Sequence, residues 1–138
     1  MRYINYHKHT HYSNLSMLDC VVKPEDYMKR AKELGHKEYV TTEHGSQGNI
    51  YEAQALCEKY DLKAIYGVEA YYVDNLDNEA KSRTAYHIII IAMNGDGEKE
   101  INNILSIANT KGFYYKPRID LGCMLSLTPK NVVVTTGC

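Results

Sequence analysis

The chain has 138 residues and is 44% hydrophobic, which is enough to bury one core and too little for two full-sized domains. A formal net charge of -1 gives no global basic face for nucleic acid, so any DNA contact is expected from a local patch or from sequence outside this chain. No signal peptide opens the chain and its longest apolar run, 88–93, is far too short for a bilayer, so a cytoplasmic protein without a membrane partner is expected.

A short apolar lead, Tyr3-Ile4-Asn5-Tyr6, reads as a strand ending in His7-Lys8-His9-Thr10-His11. Alternate residues at a strand end face one side of the sheet, so these three imidazoles share a side. Imidazole is a common ligand for transition metals. The competing reading is a His-rich surface turn. Asp19 follows in a loop, placed either to bridge metals or simply to make the turn before a helix.

The spacing then predicts a helix over 24–34, with Pro24 in its first turn and Tyr27, Met28, Ala31 and Leu34 on one face. A strand is expected over 38–42, a helix over 49–60 and a single strand over 63–73. The polar stretch 75–83 reads as a connection. Residues 86–93 are apolar on both faces, as in a central strand. A helix over 98–109 presents Ile101, Ile104, Leu105 and Ala108. Residues 116–127 read as irregular with a short helical turn, and 132–136 as a last strand.

Strands alternating with helices predict a parallel α/β fold, either an open sheet or a barrel. In such folds functional groups gather at the C-terminal ends of strands. His7, His9 and His11 end the first strand, and Thr42-Glu43-His44-Gly45 the second. Gly67-Val68-Glu69 lies in the third, and Gly137-Cys138 ends the last. Each offers an imidazole, carboxylate or thiolate. Glu43 reads either as a group orienting an imidazole or as a solvated charge, and His11 as a similar support or a residue across the site's mouth. His87 starts its strand. It reads either as a histidine bonded to a backbone carbonyl or as a ligand, the latter if 75–85 makes a hairpin and the strand runs backwards. Cys20 and Cys57 read as small core residues. Without a CxxC pair, the four cysteines are expected as free thiols. Lys111, Tyr114, Tyr115, Lys116 and Arg118 interleave charge and aromatic rings, which suits either a packed loop with solvated charges or a single-strand contact.

Together, Tyr6-His-Lys-His-Thr-His-Tyr-Ser, Thr42-Glu-His-Gly, Tyr66-Gly-Val-Glu-Ala-Tyr and Tyr86-His-Ile-Ile-Ile-Ile-Ala resemble the polymerase and histidinol phosphatase (PHP) domain. The stretches 12–19, 112–120 and 135–138 narrow the resemblance to the PHP domain at the N-terminus of bacterial and phage DNA polymerase III alpha subunits. The resemblance implies a distorted (β/α)7 barrel, of which residues 1–138 would be the N-terminal portion. It also implies that His7, His9, Asp19, His44, Glu69, His87 and Cys138 are metal ligands for two or three divalent ions, Zn, Mn or Fe. Water activated by those ions would be the nucleophile of a phosphoesterase or 3′-5′ exonuclease. Where the family more often has Asp before the second-motif histidine, this chain has Glu43.

DNA and other replisome subunits are the implied partners, through the full-length polymerase. Two other functions fit the residues: a stand-alone phosphoesterase acting on a small ester, or a non-catalytic brace. The chain stops at Cys138 directly after a strand and reads as cut, since a bare strand edge seldom closes a domain. A further Asp-x-His pair belongs downstream in the family. The chain alone is therefore expected to be catalytically weak.

Overall fold

The computed structural model describes residues 3–14, 18–76 and 83–137. Its elements are α1 (Pro24–Glu33), β1 (Glu38–Val40), α2 (Ile50–Tyr60), β2 (Lys63–Ile65), β3 (Gly67–Tyr72), β4 (Tyr86–Ala92), α3 (Gly95–Thr110), β5 (Arg118–Ile119), α4 (Leu121–Leu125) and β6 (Val132–Thr136). Strands β1 and β2 pair in parallel. The second sheet has the order β5-β3-β4-β6. In it β4 runs antiparallel to both β3 and β6, and β5 runs parallel to β3.

The fold is mixed α/β, not the parallel sheet expected, and no closed barrel is present among the described residues. Strand β4 runs back along β3 after the 75–83 connection, part of which lies outside the described residues. Strand β4 is central, as its two apolar faces predict. Its residues Ile88, Ile90 and Ala92 pack with Val68 and Ala70 of β3 on Ile101, Ile104, Leu105 and Ala108 of α3. A second cluster joins α1 and α2 through Met28, Tyr39, Ala53 and Cys57. Leu34 is exposed instead of completing the α1 face, because α1 ends at Glu33.

Three other expectations are corrected. The N-terminal segment forms no strand. Lys8 N–H donates to Thr42 Oγ1 and the Thr42 hydroxyl donates to the Lys8 carbonyl, so a side chain replaces the ladder. The single strand over 63–73 is two, because the chain changes partners at Tyr66. Beyond it Ala92 N–H donates to the Tyr66 carbonyl, and a Cβ on Gly67 would lie 2.6 Å from the Ile90 carbonyl oxygen. Helix α3 starts early because the Asn94 side chain accepts from the N–H groups of Asp96 and Gly97.

The two sheets remain linked by backbone. Glu69 N–H donates to the Glu43 carbonyl at 3.0 Å, and Gly45 N–H to the Glu69 carbonyl at 2.8 Å. The segment after β1 thus lies along β3 and carries His44 beside Glu69. Gly45 is required there. Its φ is +56°, and a Cβ would stand 2.7 Å from Pro117 Cγ.

Candidate metal centre

Alternation along β3 separates core from site. Val68 and Ala70 enter the core, while Glu69 and Tyr71 face the other way. Antiparallel register sets Tyr71 opposite His87 and Glu69 opposite Ile89, so His87 shares the face of Glu69. The ligand reading of His87 required this reversed strand.

Glu69 is fully buried and surrounded by four imidazoles. Its Oε1 lies 3.4 Å from His7 Nε2 and 2.9 Å from His87 Nδ1. Its Oε2 lies 3.4 Å from His9 Nε2 and in close contact with His44 Nδ1. His44 Nε2 in turn lies 3.3 Å from Asp19 Oδ2. His7 Nε2 and His9 Nε2 are 3.2 Å apart, so the alternation expected of a strand holds in an irregular segment.

The field of these groups is mutual. Burial pushes the Glu69 carboxyl up, but contact with His44 and the charges of His44, His87 and His9 outweigh it and hold it below the ordinary value. Burial also presses His44 down, yet Glu69 and Asp19 overcome that and raise it. His9 is lowered, by burial first and by its neighbour His44 second. Tyr71 is pushed up to about 12 by burial and by the charges of Glu69 and Asp19.

Among the described residues two groups could hold a metal ion: His7, His9 and Glu69, and His9, Asp19 and His44. In each the candidate ligand atoms lie within 4.8 Å of one another. The donor set tests well for a cation. Both Glu69 oxygens and His44 Nδ1 are buried without a hydrogen bond of proper geometry, despite their close neighbours. Buried polar atoms rarely stay unsatisfied, and lone pairs turned toward a shared point are what a cation would bind. Mixed imidazole and carboxylate donors suit Zn, Mn or Fe.

Glu43 is not a solvated charge. It is buried and accepts four hydrogen bonds, from Thr10 N–H, Thr10 Oγ1, Ser13 Oγ and Asn49 Nδ2. Ser13 carries its influence to the site. The hydroxyl donates to Glu43 Oε2 at 2.5 Å and accepts from His44 N–H at 3.0 Å. Its single proton is then committed, so His9 Nδ1, 3.0 Å away, must be the donor. That leaves the His9 Nε2 lone pair facing Glu69.

Spacing did not single out Ser13, although it continues the alternation of His7, His9 and His11. His11 does not join the candidate groups. Its ring lies 4.5 Å from that of Tyr12. Cys138 lies outside the described residues, though the preceding Gly137 N–H donates to the His87 carbonyl. Cys57 is buried as expected, but Cys20 is only half-buried and its thiol donates to the His9 carbonyl. Cys20, Cys57 and Cys123 are free.

A cavity of about 740 Å³ opens beside the cluster, with Asp19, His44, Tyr71 and His87 among its lining residues. Lys116 reaches over Tyr71, its ammonium 4.4 Å from the ring centre. Arg118, read either as a solvated charge or as part of a single-strand contact, is buried, and its Nε–H donates to the Gly112 carbonyl. Among the described residues no helix is long and apolar enough to cross a membrane.

The family model for the PHP domain matches residues 5–138. The chain is 30% identical, over 99% of its length, to the DNA polymerase III subunit alpha of Aquifex aeolicus, and covers 12% of that protein. It is 34% identical, over 96% of its length, to the Helicobacter pylori (strain ATCC 700392 / 26695) subunit, and covers 11% of it. The chain thus spans only about a ninth of the curated relatives it matches. An amidohydrolase from Chromobacterium violaceum shares the fold with a TM-score of 0.51 and 20% identity, over 72% of this chain and 31% of that one.

Proposed function

This chain belongs to the PHP domain family, and we propose that its Glu69-centred cluster is a metal-dependent phosphoesterase site in the N-terminal portion of a DNA polymerase III alpha subunit. The observation that carries this reading is the buried Glu69 carboxylate, its two oxygens unsatisfied amid four imidazoles. In this reading residues 1–138 are part of a PHP domain, and its two sheets are the opening arc of a distorted (β/α)7 barrel. Backbone pairing of Glu43 and Gly45 with Glu69 supports that arc.

His7, His9, Asp19, His44, Glu69 and His87 are the proposed ligands, with Cys138 as a seventh carried by family resemblance alone. His7, His9 and Glu69 would hold one ion, and His9, Asp19 and His44 a second. His87 Nδ1 approaches Glu69 Oε1 at 2.9 Å. Divalent ions, two or three of Zn, Mn or Fe, would supply Lewis acidity to water and to the phosphoryl oxygens. Ser13 and Glu43 orient His9. Tyr71, on the same face of β3 as Glu69, lines the cavity beside the cluster.

The proposed reaction is hydrolysis of a phosphodiester at a 3′ strand end, a proofreading chemistry within DNA replication. DNA and other replisome subunits are the proposed partners, and the cytoplasm the proposed location. The test is metal content after dialysis against Zn, Mn or Fe, followed by hydrolysis of a 3′-labelled single strand by the intact protein. Bound metal with metal-dependent release of 5′-mononucleotides supports the reading. Bound metal without cleavage supports the brace, and absence of metal sinks both the site and its chemistry.

A further inference from the structure

The cavity does not end at the cluster. It continues along a wall made by Phe113, Tyr115 and Lys116, with Asn102 and Asn109 of α3 beside them. A volume of about 740 Å³ far exceeds what a phosphate group needs, given about 30 Å³ per liquid water. It lies in the range of roughly 300–1,000 Å³ typical of small-molecule sites.

The chemistry of the wall is specific. Tyr114 N–H donates to the Lys116 carbonyl, closing a tight turn with Tyr115 at its tip. Tyr115 has φ +61°, a conformation uncommon for a bulky side chain. Such conformations concentrate at functional sites. The turn holds the Tyr115 ring in the cavity wall, where Arg83 lies 3.8 Å over it and bonds its hydroxyl. Phe113 is 55% exposed although it is the only phenylalanine in the chain. Lys116 lines the same cavity, and its ammonium meets the Tyr71 ring and, among the described residues, no carboxylate. Tyr71 in turn stacks on His44 with 5.8 Å between ring centres. Rings, a cation and cluster residues thus line one cavity, with Lys116 linked to the cluster through Tyr71 and His44.

We infer that this wall is a subsite for the terminal nucleoside of a DNA strand, with the base on Phe113 and Tyr115 and the phosphate beside Lys116. The inference rests on the phosphoesterase reading and extends it from a phosphate to a nucleotide. Aromatic rings accept any base, because every base has a π-face, so the subsite fits an enzyme without sequence preference.

The test uses the chain with Mn²⁺ and three probes: dAMP, 2-deoxyribose 5-phosphate and inorganic phosphate, titrated by calorimetry. Expected is about tenfold tighter binding of dAMP than of the base-free sugar phosphate, the size one base–aromatic stack supplies. Phe113→Ala with Tyr115→Asn should erase that ratio and leave deoxyribose 5-phosphate unchanged. Asn tolerates the left-handed turn, so the loop keeps its shape. Lys116→Gln should weaken all three probes alike, by severalfold. With diamagnetic Zn²⁺ in place of Mn²⁺, nuclear Overhauser contacts between adenine and Phe113 protons give a second measurement on the unmodified chain. Equal affinity for dAMP and the sugar phosphate, a base preference that survives the aromatic change, or absent Overhauser contacts would each overturn the subsite alone. Failure of every probe to bind with Mn²⁺ present would instead overturn the phosphoesterase reading beneath it.

Discussion

Ser13 Oγ lies 3.0 Å from His9 Nδ1, and the proton it gives to Glu43 decides which nitrogen of that imidazole is free. The buried carboxylate therefore acts on the cluster at one remove. Ser13→Ala should weaken metal binding by roughly 10–100-fold, the usual loss when an outer partner of a ligand is removed. Competition of the variant against a chelating dye measures this. Ser13→Thr keeps the hydroxyl and should restore much of the affinity. Unchanged affinity in Ser13→Ala would show that His9 needs no such partner.

Metal should stabilise the fold by linkage. An ion that binds only the native chain adds about 2.7 kcal/mol at a free concentration of 100 times Kd. For a chain of this size that is a rise in Tm of roughly 8–10 °C. Glu69→Gln removes the charge that all four imidazoles face and should abolish the rise, although the folded chain remains. Thermal melts with and without Zn²⁺ or Mn²⁺ decide it. A rise that persists in Glu69→Gln would place the ion elsewhere.

Glu25 on α1 ties that helix to α2. Lys59 Nζ and the Tyr60 hydroxyl each donate to it at 2.7 Å and hold its carboxyl down at about 2. The unfolded chain, with an ordinary carboxyl near 4.5, takes up its proton first as the solution is acidified. The contribution is therefore complete above that ordinary value and is lost as the pH falls toward about 2. Melts of Glu25→Gln should differ from the parent by a constant amount near neutrality. The gap should close through this acid window. A gap of full size at the acid end would rule out the carboxylate as its source.

Gly45→Ala tests the close approach that sets His44 beside Glu69. The substitution meets both a φ of +56° and Pro117 Cγ at 2.7 Å. A loss of about 1–3 kcal/mol is expected from strain of this kind. Denaturant unfolding should show it as a lower midpoint with an unchanged slope. Metal affinity should fall too, since His44 and Lys116 flank the contact. A variant with the parent's midpoint would mean that the Pro117 loop yields freely.

Much of the local structure was legible. Pro24, the face of Ile101, Ile104, Leu105 and Ala108, and the doubly apolar 86–93 run each predicted an element now observed. Short-range sterics and periodicity are enough for that, because helix and strand impose their spacing on neighbouring residues. The break at Tyr66 was not legible. The apolar run passes through it unbroken, and only a change of partner strand marks it.

The site divides the same way. Six of the expected residues, His7, His9, Asp19, His44, Glu69 and His87, come together around one carboxylate or its neighbour. Residue type and motif order carried that much, since imidazole and carboxylate in such density serve few other ends. Strand direction did not follow from them. His87 reaches Glu69 because β4 runs backwards, and direction depends on how a polar connection folds, which periodicity does not encode. Nor did the sequence separate Glu43 from a surface charge, mark Ser13, or set Lys116 against Tyr71. Their roles depend on contacts between residues far apart in the chain, as between Ser13 and Glu43 or Lys116 and Tyr71. Chemistry was written in residue identity, while orientation, tautomer and burial arose from long-range packing that no local pattern contains.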